Sequence, residues 1–380
     1  MTGARLVVDR SAIAANTRHF AALMPGRLMA VVKADGYGAG AELVARTALA
    51  NGATRLGVTS IAEALALRAA GLSAPILSWL NTVDADFAGA IAAEVEIAVP
   101  GVAQLDAVRR AARRSGRRAL IHLQIDCGMA REGCAPALWP QLLGFAAAAQ
   151  AERDVEVVGV MGHLSCASTP SAAANRRERA RFLKAVRATA SARLHAPLRH
   201  LAATAATLTQ PAARHTLCRV GAGLVGIDPS GTVPLRGALM LQSQIVDVRR
   251  VPAGTPVGYD HSAVTSQDTT LALVAAGYAD GVPRAVAPDA EILVRGRRRR
   301  IVGRVSMDQL VIDLGADGDA MPGEFVTIFG PGDQGEPTVA DWAAWCGTIP
   351  NEILTGIGRR VERVERAEGL AHAETVKAAS

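Results

Sequence analysis

Between residues 28 and 220 the chain alternates short β-rich runs with longer Ala/Leu/Arg segments whose apolar residues recur at helical spacing. Eight runs read as strands: residues 28–33, 55–59, 75–79, 96–100, 119–126, 155–163, 198–202 and 217–220. Helices are expected near 41–51, 61–70, 84–93, 102–114, 135–150, 172–190 and 204–209, with one more at 11–23 ahead of the first strand. Eight alternating units predict a (β/α)8 TIM barrel, an α/β fold, over an open doubly wound sheet. No G-x-G-x-x-G follows the first run and opens a helix, which argues against a dinucleotide-binding fold.

After residue 232 the texture changes. Short strands are expected at 242–251, 271–276, 291–294, 301–305, 310–314 and 325–329, and a helix returns only at 339–344. This reads as a mostly antiparallel β domain. The expected organisation is therefore a barrel over 10–232 and a β domain over 233–366. Residues 1–9 supply a strand to the β domain, and 367–380 form a frayed tail. A length of 380 residues accommodates two full cores.

A formal charge of +6 is modest for this size. The one dense basic run, Arg295-Gly296-Arg297-Arg298-Arg299-Arg300, lies between two apolar runs and reads as the exposed turn of a hairpin. No aromatic residues accompany it for base stacking, so no nucleic-acid partner is expected. The five cysteines are odd in number and contain no C-x-x-C pair, which argues against a disulfide frame and a structural zinc. No metal site is expected. The N-terminus lacks an apolar signal segment and no apolar stretch reaches ~18 residues. The expectation is a cytoplasmic protein with no membrane partner.

Barrel active sites lie at the C-terminal ends of the strands. Those ends carry Lys33, Asp126, His163 and Arg219. A lysine closing a buried strand either snorkels or, with a shifted pKa, forms a Schiff base. Phosphate in such barrels sits at the loops after strands seven and eight. Here these are Ala203-Thr204-Ala205, opening a helix, and Gly221-Ala222-Gly223-Leu224-Val225-Gly226. Each glycine alone reads equally as a turn glycine; their coincidence with Lys33 at one barrel mouth points to an anion site.

Four ordered segments resemble motifs of the alanine racemase family, over nearly the whole chain. Val31-Val32-Lys33-Ala34-Asp35-Gly36-Tyr37-Gly38 is similar to the segment carrying that family's cofactor lysine. His122-Leu123-Gln124-Ile125-Asp126-Cys127-Gly128-Met129-Ala130-Arg131 resembles the second motif. Ala276-Gly277-Tyr278-Ala279-Asp280-Gly281 resembles the segment of the catalytic tyrosine, and Val302-Gly303-Arg304-Val305-Ser306-Met307-Asp308-Gln309 a further one. All three tyrosines of the chain, Tyr37, Tyr259 and Tyr278, fall in family-like segments.

The resemblance implies a pyridoxal 5'-phosphate-dependent isomerase, an amino-acid racemase that interconverts L- and D-alanine for D-alanine and peptidoglycan biosynthesis. Racemisation needs acid–base groups on both faces of the α-carbon, and the cofactor supplies the electron sink. The resemblance assigns cofactor attachment and one face to Lys33 and the other face to Tyr278, contributed by the partner subunit of a head-to-tail homodimer. A tyrosine titrating near ~10 needs cationic neighbours to act near neutral pH; the family supplies the equivalents of His163 and Arg219. His163 also lies against the cofactor ring, and Arg219 faces the pyridine nitrogen. An always-charged donor there favours proton exchange over decarboxylation. Phosphate contacts transfer to Tyr37, Thr204, Gly221 and Ala222. Arg131 is the implied partner of the substrate carboxylate; Met307 lies near the substrate, and Asp308 stands beside it.

The chain departs from the family at several positions. Gln124 stands where many members have a carbamylated lysine, so its amide would hydrogen-bond Arg131 without supplying charge, and Arg131 needs another anion such as chloride. Asn351 replaces a tyrosine, and Ala203 and Val225 replace an Asn and a Tyr. These changes imply a roomier pocket that takes serine beside alanine, so the alternative reading is a racemase of broader or serine-leaning specificity. A cofactor-carrying barrel without catalysis resembles only the first half of the chain.

Overall fold

The computed structural model describes residues 3–366; the tail expected at 367–380 lies outside the described residues. The chain divides into two compact units. One comprises Ile13–Gly36 and Ala41–Leu235; the other takes the described residues of Met1–Ala12, Tyr37–Gly40 and the stretch from Arg236 on.

The first unit holds eight parallel strands in sequential order. They are Leu28–Val31, Arg55–Val58, Ile76–Ser78, Val95–Val99, Ala119–Gln124, Val155–Met161, Leu198–His200 and Cys218–Val220. The last pairs with the first, with Leu28 opposite Cys218. Strands seven and eight are drawn together by the Thr216 N–H on Arg199 O (3.2 Å) and the Arg219 N–H on Ala202 O (3.0 Å). The circle is thus a near-closed TIM-like barrel, as the eightfold alternation predicts. Strands buried on both faces read as continuous apolar runs, as Leu28–Val31 does; Val95–Val99 is likewise buried at every position but carries Glu96.

The helices follow from their spacing and ends. In Val102–Ser115 the buried residues Leu105, Val108 and Ala112 recur at three and four, arginines take the outer face, and Gly116 closes the helix in the left-handed region at φ 65°. Helix Ile61–Ala69 opens with a reciprocal box: Ser60 accepts the Glu63 N–H while the Glu63 carboxylate accepts the Ser60 N–H. Part of the barrel interior is a cluster of Met29, Leu77, Ala98, Met161 and Leu217, against which Trp79 packs.

The second unit is built on one long strand, Leu239–Val251. Its first half pairs with Arg5–Val8 and Phe325–Phe329, its second half with Thr269–Val274, which in turn pairs with Leu310–Gly315; all are antiparallel. Register breaks near Gln242 and Asp247 let one strand serve both partners. The parallel exception is Arg5–Val8 with Glu362–Glu365.

Two expectations here are corrected. The basic run is not a turn: only Arg295 and Gly296 turn, while Arg297–Arg300 is a strand paired with Glu291–Val294 at the edge of the sheet. An edge strand needs no apolar side chains, and charge there discourages pairing with another molecule's edge. Residues 301–305 are accordingly not a strand; only Ile301 bridges, to Ile312. Among the described residues no helix is long and apolar enough to cross a membrane.

Candidate active site

Lys33 follows the first barrel strand at the start of a tight left-handed turn. Ala34, Asp35 and Gly36 lie at φ 52°, 53° and 63°, and Tyr37 continues at 60°. Such a run is strained for residues with a Cβ and must be held from outside. Glu63 holds it: one carboxylate oxygen accepts the Ala34 N–H at 2.8 Å, the other the N–H groups of Thr59 (2.8 Å) and Ser60 (3.0 Å). Asp35 accepts the Ala41 N–H at 2.8 Å. Burial, then the charge of Arg131, lowers the pKa of Lys33; Glu132 and Glu63 oppose the shift, and Arg219 adds to it. The neutral amine, which is both nucleophile and base, is therefore populated at lower pH than for an ordinary lysine.

Arg219 is buried at the end of strand eight and donates in several directions. Nη1 reaches His200 Nδ1 (3.0 Å) and His200 O (2.8 Å); Nη2 reaches Gly162 O (2.8 Å) and His163 Nδ1 (3.2 Å). Its Nε has no acceptor among the described residues. Burial pulls its pKa to about 10, so it stays charged at neutral pH. Arginine can only donate, and this orients every hydrogen bond beyond it. His200 Nδ1 must accept, so its Nε2 carries the proton and donates to His122 Nδ1 at 2.9 Å. His122 Nε2 then donates to Glu96 at 2.9 Å, and Arg55 pairs with Glu96 from the other side. Burial pushes the Glu96 carboxyl up, but His122 and Arg55 outweigh it and hold it below its ordinary value. Burial, with Arg219, Arg131 and Lys33 around it, takes His163 down to about 3. His163 is thus a neutral acceptor facing a group of cations. The chain Arg219–His200–His122–Glu96–Arg55 crosses the barrel interior. Sequence reasoning missed His200, Glu96 and Arg55, and gave His122 no role. The available signal was Gly159 inside a strand: a Cβ there would stand 2.1 Å from the His122 ring.

The two loops read as an anion site meet: the Gly223 N–H donates to the Thr204 hydroxyl at 3.3 Å. Thr204 and Ala222 are buried. A Cβ at Gly223 would press on Phe20 at 2.5 Å and Thr204 at 2.9 Å, so the cradle admits only glycine. Helix Thr204–Thr209 is short, and the donors that fit an anion here are hydroxyl and backbone groups more than a helix dipole.

Asp126 is a structural cap, accepting the N–H groups of Gly128 (2.8 Å), Met129 (2.9 Å) and Ala130. It shapes the loop that presents Arg131. One expectation is corrected there. Gln124 does not bond Arg131; its Oε1 is buried and unpartnered. A carboxylate oxygen of Glu132 lies 2.7 Å from Arg131 Nη2. Glu132 went unnoticed because neighbours in sequence rarely face each other in regular structure, whereas here a loop folds one onto the next.

In the second unit, Tyr278 opens the short turn Tyr278–Asp280 and is partly exposed, as is Met307; Asp308 pairs with Arg360 at 2.8 Å. Asn351 is half-buried in helix Pro350–Thr355. Tyr37 is buried.

A near-closed parallel barrel with a desolvated lysine at its mouth, joined in one chain to a mostly antiparallel domain presenting a tyrosine, defines a narrow class of two-part proteins. Comparison with known proteins makes the class particular. The family described as alanine racemase, N-terminal domain, matches residues 8–229, and alanine racemase, C-terminal domain, matches 238–365. The alanine racemase of Frankia casuarinae is 47% identical over 341 residues, 88% of each chain. That of Thermobifida fusca is 45% identical, covering 94% of this chain and 96% of its own. The solved alanine racemase of Streptomyces lavendulae superposes with a TM-score of 0.94 at 42% identity, covering 97% of this chain and 98% of that one. The chain belongs to the alanine racemase family.

Proposed function

We propose that this protein interconverts L- and D-alanine with pyridoxal 5'-phosphate as cofactor, in a homodimer whose sites take Lys33 from one subunit and Tyr278 from the other. The observation that carries the reading is Lys33, a desolvated amine set among fixed cations at the barrel mouth. The Arg219 guanidinium and the Gly223 cradle fit a cofactor with a pyridine nitrogen at one end and a phosphate at the other.

When bound, the cofactor supplies the electron sink that makes the α-hydrogen of an amino acid acidic. The chain's own groups do the rest. Thr204 and the 221–223 loop would hold its phosphate. Arg219 would donate to its ring nitrogen, and His163, held neutral, would lie beside the ring. Arg131 takes the substrate carboxylate with its guanidinium edge while Glu132 engages Nη2. Lys33 moves a proton at Nζ on one face, and the Tyr278 hydroxyl moves one on the other. The test is racemisation of enantiopure alanine by the purified protein, followed by circular dichroism beside the cofactor absorbance. Absence of either overturns the reading.

Gln124 offers no amine to carbamylate and Arg131 already has its carboxylate partner, so added bicarbonate is expected to leave the rate unchanged. A clear bicarbonate dependence contradicts this. Specificity follows from Asn351, smaller than the tyrosine of many family members. Serine is expected to be racemised with kcat/KM within ~1,000-fold of alanine, about 4 kcal/mol. A larger gap overturns the roomier pocket.

A further inference from the structure

We propose that Arg360 is the positioning residue for Tyr278: it clamps the turn that carries the tyrosine to the loop that carries Met307. The inference rests on the assignment of Tyr278 to proton transfer. Asp280, two residues after Tyr278, is wholly buried. Its carboxylate accepts the Gly277 N–H at 2.9 Å, Arg360 Nε at 2.7 Å and Arg360 Nη2 at 2.9 Å. The third nitrogen, Nη1, lies 2.8 Å from Asp308. One guanidinium therefore ties both flanks of the site together, and both carboxylates raise its pKa.

The backbone around the clamp leaves no slack. The Tyr278 N–H donates to Ser306 O (3.0 Å), the Ala279 N–H to Met307 O (2.9 Å) and the Gly358 N–H to Asp280 O (3.0 Å). A Cβ at Gly277 would stand 2.3 Å from Ser306 O, and one at Gly281 2.4 Å from Gly356 O. Three backbone segments thus meet without room for side chains, and Arg360 is the charge that holds them. Removing it leaves the buried Asp280 carboxylate without its cation. Lysine cannot substitute, because a single ammonium has no planar fork for Asp280 with a third donor for Asp308.

The experiment uses the holoenzyme with Arg360→Lys and, as a variant at an exposed carboxylate that keeps the fold, Asp308→Asn. Arg360→Lys is expected to lower kcat/KM for both enantiomers by ~10- to 100-fold, the cost of a misplaced catalytic group. The primary α-deuterium isotope effect should rise only for the enantiomer whose α-hydrogen leaves to Tyr278. Amide exchange at residues 278–281 should quicken, with or without cofactor, while the cofactor absorbance stays unchanged. Asp308→Asn should show the same one-sided isotope effect with a smaller loss. Wild-type kcat/KM in both variants, or a loss with isotope effects raised equally for both enantiomers, overturns the clamp. A wild-type protein that racemises no amino acid overturns the functional reading, and the clamp with it.

Discussion

Lys33→Ala is expected to abolish both the absorbance of covalently held cofactor and turnover in either direction. The proposed function gives the residue two duties, attachment and proton transfer on one face. General acid–base catalysis alone contributes ~100- to 10,000-fold, about 3 to 5 kcal/mol, and the loss of attachment adds to it. The surroundings sharpen the expectation. Lys33 has a lowered pKa because it is partly buried and flanked by Arg131 and Arg219. Among the described residues no other lysine follows a barrel strand, so no neighbour there can take over. Stopped assays on enantiopure alanine, with a spectrum of the dialysed protein, check both halves. Retention of either the chromophore or turnover contradicts the assignment.

Tyr278→Phe should separate those two duties. The ring remains, and so do the backbone bonds of its turn to Ser306 and Met307. Only the hydroxyl is lost. The cofactor absorbance is expected to persist while racemisation falls by ~100- to 10,000-fold. Exchange of the α-hydrogen with solvent should continue for the enantiomer that presents it to Lys33, and stop for the other. Nuclear magnetic resonance of alanine in heavy water reads this directly. Mixing the Lys33→Ala and Tyr278→Phe proteins tests whether sites are shared. Random exchange in a two-fold dimer gives hybrids with one intact site and roughly a quarter of wild-type activity if the tyrosine serves the partner subunit. It gives none if both groups act within one chain.

Much of this architecture could be read from residue order, and what could not has a physical reason. Barrel strands announce themselves because burial on both faces favours unbroken apolar runs, as in residues 28–31. Lys33 and Arg219 stood out because charge is rare at the end of such runs. Glu96, His122 and His200 did not, because each is separately an ordinary polar residue. Their meaning comes from the barrel bringing three strands within hydrogen-bonding distance. The arginine run misled for the opposite reason: four charges in sequence suggest solvent, and an edge strand is where solvent and sheet coincide. Arg360 was invisible for a third reason. Its partners Asp280 and Asp308 lie 80 and 52 positions earlier and meet it only after the β domain has folded.

The polar line through the barrel also limits which residues position 219 can accept. Exchanging Arg219 for an acidic residue removes the donor from His200 Nδ1 and from the carbonyls of Gly162 and His200 in one step. His200 would then have to reverse its tautomer, and His122 after it, ending at a Glu96 still committed to Arg55. Each intermediate sequence would carry a mispaired group in the interior. The side chain at position 219 is therefore constrained by residues on the far side of the barrel that it never touches.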